Sequence, residues 1–198
     1  MPRVKPLTID EVAPEAKEDY ARYAAMFTEF ENQVPVYAHS PAGLKHIFGM
    51  TTAIRAAGNL PQRLVEIAVI AVSQVNACPY CVAHHSAMAV DEGVDPETID
   101  HILDPEPPGL TQVERLVRDY AVLVTERAWG IRDKVFEELR KHFTEAQIVE
   151  LTMRITLTGM FNRINQALQI DMEDGVMPAF EARGLDTSAL PEPETTEA

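Results

Sequence analysis

Residues 60–89 read LPQRLVEIAVIAVSQVNACPYCVAHHSAMA, and whether this stretch is strand or helix decides the fold class. Its first half is rich in β-branched residues, with Val65, Ile67, Val69, Ile70, Val72 and Val75, which favours a strand. Length and phase argue the other way. The run is longer than a typical strand, and Gln62, Arg63 and Glu66 do not alternate with the apolar positions. Apolar side chains on every side predict a buried helix opened by Pro61. Cys78-Pro79 then restarts the chain as a second helix, with Pro at its first position and a stop at Gly93.

Outward from this pair the punctuation is helical throughout. Pro14 opens a first helix carrying Tyr20, Tyr23, Ala24, Phe27 and Phe30, and VPVYAHSPAG (34–43) reads as a break. Ser40-Pro41 is a cap followed by Pro, with Gly58 as the stop. Asp95-Pro96 starts a short helix to about Leu103. Thr111 with Glu114 forms a capping box for a helix that stops near Gly130. Asp133 to Phe143 reads as a helix, and Thr144 with Gln147 caps a long last one, to about Ile170. The expectation is an all-α protein: one helical domain over residues 1–183, then an acidic, disordered tail over 184–198.

Composition narrows the function classes. Apolar residues make up 46% of the 198, enough for a sizeable core in one domain. A formal net charge of −14 argues against nucleic-acid binding, which needs a basic face, and suits small or basic partners. No apolar run reaches the roughly 18 residues of a membrane span, and the N-terminal segment has no apolar core of a secretory signal. The expected location is therefore the cytoplasm, where the two cysteines are reduced by default.

A shift of 84 residues lays RLVEIAV (63–69) over QIVELTM (147–153) and Glu66 over Glu150. It also sets Cys78 on Asn162, Cys81 on Asn165 and His85 on Gln169. Few residues are identical. A degenerate helix-pair repeat is one reading and chance the other.

Pro79 at the first helical position puts Cys78 at the N-cap and Cys81 two residues after the proline. Both sulfurs then sit at the positive end of a helix, where unsatisfied N–H groups stabilise a thiolate. Residues three and four apart share a helix face, so Cys78 faces Cys81 and Cys81 faces His85. His84 is turned about 100° from His85 and serves that face less well. If the two helices fold back as a hairpin, Glu66 falls at the depth of His85. Cys81, His85 and Glu66 then line up as nucleophile, base and orienter.

Two other readings stand beside this one. Zinc would use Cys78, Cys81 and His85 with Glu66 as the fourth ligand, though no second Cys/His pair follows. Two inert core cysteines are the other. Haem attachment would need His directly after the second cysteine, where Val82 stands, and iron–sulfur clusters need more thiolates. His39, His46, His101 and His142 carry no pattern, and Trp129 and the methionines read as packing.

Glu66, Cys78, Cys81 and His85 stand as E-x11-C-x-x-C-x-x-x-H. With the flanks LPQRLVEIAVIAVSQVNACPYCVAHHSAMA and EGVDPETID, and FNRINQAL further on, they resemble the AhpD-like, carboxymuconolactone decarboxylase superfamily. The likeness is close over about residues 40–105 and weaker to about 180. It implies an AhpD-like helical bundle and a homo-oligomer, trimer or hexamer. It implies an antioxidant oxidoreductase, a thiol-dependent hydroperoxide reductase with no bound cofactor, reduced by an external dithiol or lipoyl-type protein. Carried over, Cys81 is oxidised by peroxide, Cys78 closes a disulfide with it, and His85 and Glu66 relay the proton. Tyr80 stands where the family's peroxidases carry a further His, so Tyr80 and His84 are candidate neighbours of the site. The alternatives are a redox-sensing or partner-binding protein with little turnover, and a carboxymuconolactone-decarboxylase-like enzyme.

Overall fold

The computed structural model describes residues 2–192, and among them every regular element is helical. A 3-10 turn at Pro14–Ala16 leads into α1 (Lys17–Met26), followed by α2 (Gln33–Tyr37). Then α3 (Pro41–Gly43) passes through a π turn at Leu44–Phe48 into α4 (Gly49–Ala57). Next come α5 (Gln62–Val75), α6 (Pro79–Asp91), α7 (Pro96–Asp100) and α8 (Gln112–Arg127). The last elements are α9 (Asp133–Leu139), α10 (Glu145–Leu168) and α11 (Val176–Ala182). No described helix is long and apolar enough to cross a membrane.

Two compact units are found where the sequence reading has one domain: one up to Gly58 with Asn165–Asp174, the other Asn59–Ile164 with the chain from Gly175 on. The first is built around Phe48, whose ring meets Tyr23, Phe27 and Tyr37 at centroid distances of 5.4, 5.2 and 5.3 Å. In the second, α5 is the central element. Every residue from Val65 to Ser73 is buried, and α5 packs against α6 and α8. Complete burial of Ile67 and Ile70 contributes about 1.5–3 kcal/mol each. The all-round apolar pattern therefore belongs to a helix covered on all sides.

Helix starts fall where local chemistry puts them. The Ser40 hydroxyl accepts from the Gly43 N–H, and Gly58 ends α4 at φ +60°. The Thr111–Glu114 capping box is closed in both directions. Other boundaries differ from expectation. Residues 34–43 are not a break throughout: α2 forms with Pro35 in its first turn, where no amide donor is needed. α1 ends at Met26 rather than reaching Phe30, because Phe27 leaves the helical region at ψ 54°. The segment matched by the 84-residue shift is not a helix pair. Where residues 62–91 form a hairpin, α10 runs unbroken through Asn162, because no Pro or Gly interrupts residues 160–168.

The expected tail also changes. Residues 184–192 are placed, not loose. Leu185 is buried, Asp186 caps a 3-10 turn at Thr187–Ala189, and the Gln74 side chain donates to the Ala189 carbonyl at 3.0 Å. A buried leucine and satisfied caps offset the entropy of ordering this acidic stretch. Residues 193–198 of the expected tail lie outside the described residues.

Glu114 ties α8 to α5. Its carboxylate accepts from the Arg63 guanidinium and from the Thr111 N–H. Burial pushes the Glu114 carboxyl up, but Arg63 and Thr111 outweigh it and hold it below the usual carboxylate range. The unfolded chain thus binds this proton more readily than the native one. The stability Glu114 contributes is full above the unfolded pKa of about 4.3 and is lost as pH falls through the lowered native value. Urea unfolding from neutral pH down to about pH 3 should show a falling midpoint, and Glu114→Gln should make that fall shallower. An identical slope in the variant would remove this ion pair from the account.

Candidate active site

The site begins with the way α5 ends. The Cys78 N–H donates to the Ser73 carbonyl at 2.9 Å and the Ala77 N–H to the Gln74 carbonyl at 3.0 Å. This is a Schellman closure, with Ala77 left-handed at φ 49° in a position that usually takes glycine. Cys78, the residue beyond it, is extended (φ −101°, ψ 93°) and is at once the N-cap of α6, with Pro79 next. One residue therefore ends one helix and begins another. Its sulfur is fixed by backbone on both sides.

The two sulfurs lie 3.0 Å apart as free thiols, Cys78 fully buried and Cys81 4% exposed. On the α5 side Glu66 is buried, and its Oε2 accepts from the Nδ1–H of His85 at 2.7 Å. The other oxygen of Glu66 accepts from the Gln62 side chain, so both lone-pair directions are used. His85 is 24% exposed at its side chain, against 3% for Glu66. The hydrogen bond between the Cys78 and Cys81 side chains, the N–H groups of Cys81 and Tyr80 and the Asn162 amide hold the Cys78 thiol below its ordinary value, against the opposing effect of burial. Among these the Cys81 side chain acts most strongly.

The six residues singled out from the sequence separate into two groups. Cys78, Cys81, His85 and Glu66 surround the α5–α6 turn and the facing helix sides. Tyr80 and His84 form a pair of their own: the His84 Nδ1–H donates to the Tyr80 carbonyl at 2.7 Å and the rings stand 4.3 Å apart, both buried. Tyr80 thus packs on His84, on a different side of α6 from the Glu66–His85 pair. Among the described residues no three His, Cys, Asp or Glu side chains are grouped to hold a metal ion, with Glu66 committed to His85 and the two sulfurs to each other. Sequence reading did not find Gln62, Ser73, Asn76 or the part played by Asn162. The one signal for Asn162 was the 84-residue shift that set it on Cys78.

The described residues thus combine an all-α fold with a buried dithiol at a helix start and a Glu–His pair from the hairpin beside it. The carboxymuconolactone decarboxylase family model matches residues 41–106, the segment that holds all four of these residues. An uncharacterized protein of Bacillus subtilis (strain 168), YdfG, is 23% identical over 144 residues, 69% of this chain and 93% of its own. An uncharacterized peroxidase-related protein of Ralstonia eutropha JMP134, solved as an alkylhydroperoxidase AhpD core, superposes with a TM-score of 0.77. It is 20% identical, over 96% of this chain and 98% of that one. A protein of unknown function from Agrobacterium tumefaciens, for which an AhpD-type antioxidant role has been suggested, is 27% identical. Its TM-score is 0.63, over 68% of this chain and 93% of that one. The debrominase Bmp8, solved with 2,3,4-tribromopyrrole, has a TM-score of 0.73 at 18% identity, over 91% of this chain and 96% of that one. These likenesses establish the AhpD-like fold, and the debrominase shows that the fold alone does not name the reaction.

Proposed function

We propose that the protein reduces hydroperoxides with its Cys78–Cys81 dithiol and is itself reduced by an external dithiol. The observation that carries this is the 3.0 Å separation of two reduced sulfurs at the start of α6, one helical turn from the Glu66–His85 pair. As the Cys81 sulfur attacks the terminal peroxide oxygen, its proton passes to His85. The O–O bond breaks, and the departing alkoxide takes that proton to leave as an alcohol. Cys81 is then a sulfenic acid. The Cys78 thiolate attacks its sulfur, forms the disulfide and releases hydroxide, which protonates to water. A small dithiol or a lipoyl-type protein returns both cysteines to thiols through a mixed disulfide.

Cys81 is assigned the attack because it is the less buried cysteine and shares a helix face with His85. Near-complete burial of both sulfurs also favours a second reading, in which the disulfide forms but turnover is slow and the protein senses peroxide. Two measurements decide. Stoichiometric peroxide should produce a Cys78–Cys81 link with loss of two hydrogens by mass spectrometry, and two free thiols after treatment would sink both readings. Steady-state peroxide consumption across a panel of dithiols should exceed that of the dithiol alone. Link formation without that excess would favour the sensor.

A further inference from the structure

We propose that the cleft between α8 and α9 binds a small amphipathic carboxylate, an organic acid with an apolar body, whose charge is held by Arg127, Arg132 and Lys134. The cleft has a volume of about 540 Å³, in the range of small-molecule sites, and shares no residue with the dithiol site. Tyr120 and Phe136 join the two helices edge to face, with ring centroids 5.8 Å apart. Tyr120 is buried and its hydroxyl is bonded to Thr152 Oγ1 at 2.7 Å, so its polar end is already used. Leu116, Leu123, Ile131 and Val135 supply the apolar lining beside it.

Charge is spread unevenly around this apolar floor. Two carboxylates line the cleft, and each is engaged by a cation from outside the lining: Asp119 by Arg118 at 2.8 Å, and Glu138 by Lys141 at 2.6 Å. Lys134 acts on Glu138 only as a weaker, longer-range charge. The three cations of the lining form no ion pair with a described residue. The chain has 31 Asp and Glu against 17 Lys and Arg, so three unpaired cations around one cavity are a local excess against a net charge of −14. Helix stability does not account for two of them. Arg132 and Lys134 flank the start of α9, where the helix dipole disfavours a cation. A carboxylate would complete the missing pairs, and its apolar body would cover the aliphatic lining. Trp129 marks the rim, in the 3-10 turn Ala128–Gly130 that joins the two helices. At 88% exposure it is not the packing residue expected from the sequence. An indole left in water beside an apolar cleft is a surface that a bound apolar body can cover.

Trp129 is the chain's only tryptophan, so intrinsic fluorescence of the full chain reports on this rim. Decanoate is the probe, titrated at constant ionic strength and followed in parallel by equilibrium dialysis. Saturable binding of one decanoate, with a change in Trp129 emission, is expected. Decyltrimethylammonium, the same chain with the opposite charge, should bind more weakly. That order is diagnostic, because attraction to the protein as a whole, at −14, favours the cation. Arg132→Gln and Lys134→Gln should each weaken decanoate binding by about two- to fivefold, the worth of one exposed ion pair. The triple variant with Arg127→Gln should lose the preference for the anion. Val135→Asp, which sets a carboxylate among the cations, should abolish binding. Where that variant loses its helical circular dichroism, the Gln variants decide, since all three positions are exposed. No saturable binding by dialysis, equal binding of the two probes, or wild-type affinity in the Gln variants overturns the proposal. So does a Trp129 emission that is blue-shifted without decanoate and moves red on dilution, because a second copy of the chain then occupies the cleft. None of these readings depends on peroxide turnover. Failure of the dithiol chemistry would leave this site standing, and failure of the site would leave the dithiol chemistry untouched.

Discussion

Cys81→Ser is expected to abolish peroxide consumption, by on the order of 10³-fold or more, and Cys78→Ser to stop it after a single turnover. The asymmetry follows from the site. Both sulfurs are buried and adjacent, but Cys81 is the one with any surface, 4% against none, and it shares a face with His85. Without Cys78 the first oxidation still proceeds, and Cys81 stays as a sulfenic acid because nothing closes the disulfide. Cys78→Ser should therefore consume one equivalent of peroxide, and a sulfenic-acid-selective diketone should label it at Cys81. The low proton affinity of Cys78 gives the opposite outcome a clear meaning. If Cys81→Ser were the variant that reacted once and was labelled at Cys78, the roles of the two sulfurs would be exchanged. The donors on Cys78 would then activate the attacking thiolate.

How far these residues could be read without coordinates depends on the range of each interaction. Cys78-Pro79, Ser40-Pro41 and Thr111 with Glu114 are caps, decided within three or four residues, and each stands where the pattern put it. The meeting of Glu66 with His85 is nearly as local, since a tight turn between two helices leaves few registers. The turn itself was hidden. Its left-handed residue is Ala77, and alanine carries none of the signal that glycine gives at Gly58. Asn162 was hidden for a different reason. It lies 89 residues from Ser73 and 86 from Asn76, and nothing in a one-dimensional pattern distinguishes a buried, fully bonded amide from a solvated one. The 84-residue shift set Asn162 on Cys78, yet Asn162 lies within an unbroken α10 and bonds to Ser73 and Asn76, so the two are not equivalent places in a repeated hairpin. The chain after Gly184 misled through composition. Its charge reads as a tail, while a single leucine and one aspartate cap hold residues 185–189 in place.

Glu66→Gln should lower the rate of peroxide consumption by about 10³-fold while leaving the fold intact, a loss nearly as deep as that of the nucleophile. In the proposed relay Glu66 acts through His85. Its Oε2 accepts from the Nδ1–H of His85 at 2.7 Å, so in the neutral imidazole Nε2 is the nitrogen that can take a proton. A glutamine in the same place can donate to Nδ1, and the imidazole then carries its proton on Nε2, the wrong side for a base. The swap also removes the negative charge that would stabilise the imidazolium formed when Cys81 gives up its proton. The volume is unchanged, and Gln62 can still donate to the oxygen that remains, so thermal unfolding should move little. His85→Ala should cost about 10²–10⁴-fold. Combining it with Glu66→Gln should cost little more, because a positioning residue has nothing left to position. The readout that separates this from loss of structure is the pH–rate profile: the limb that reports the base should disappear in both single variants, with helical content retained. Wild-type rates in Glu66→Gln, or losses that multiply in the double variant, would take the relay out of the chemistry and leave the Glu66–His85 pair as a brace between α5 and α6.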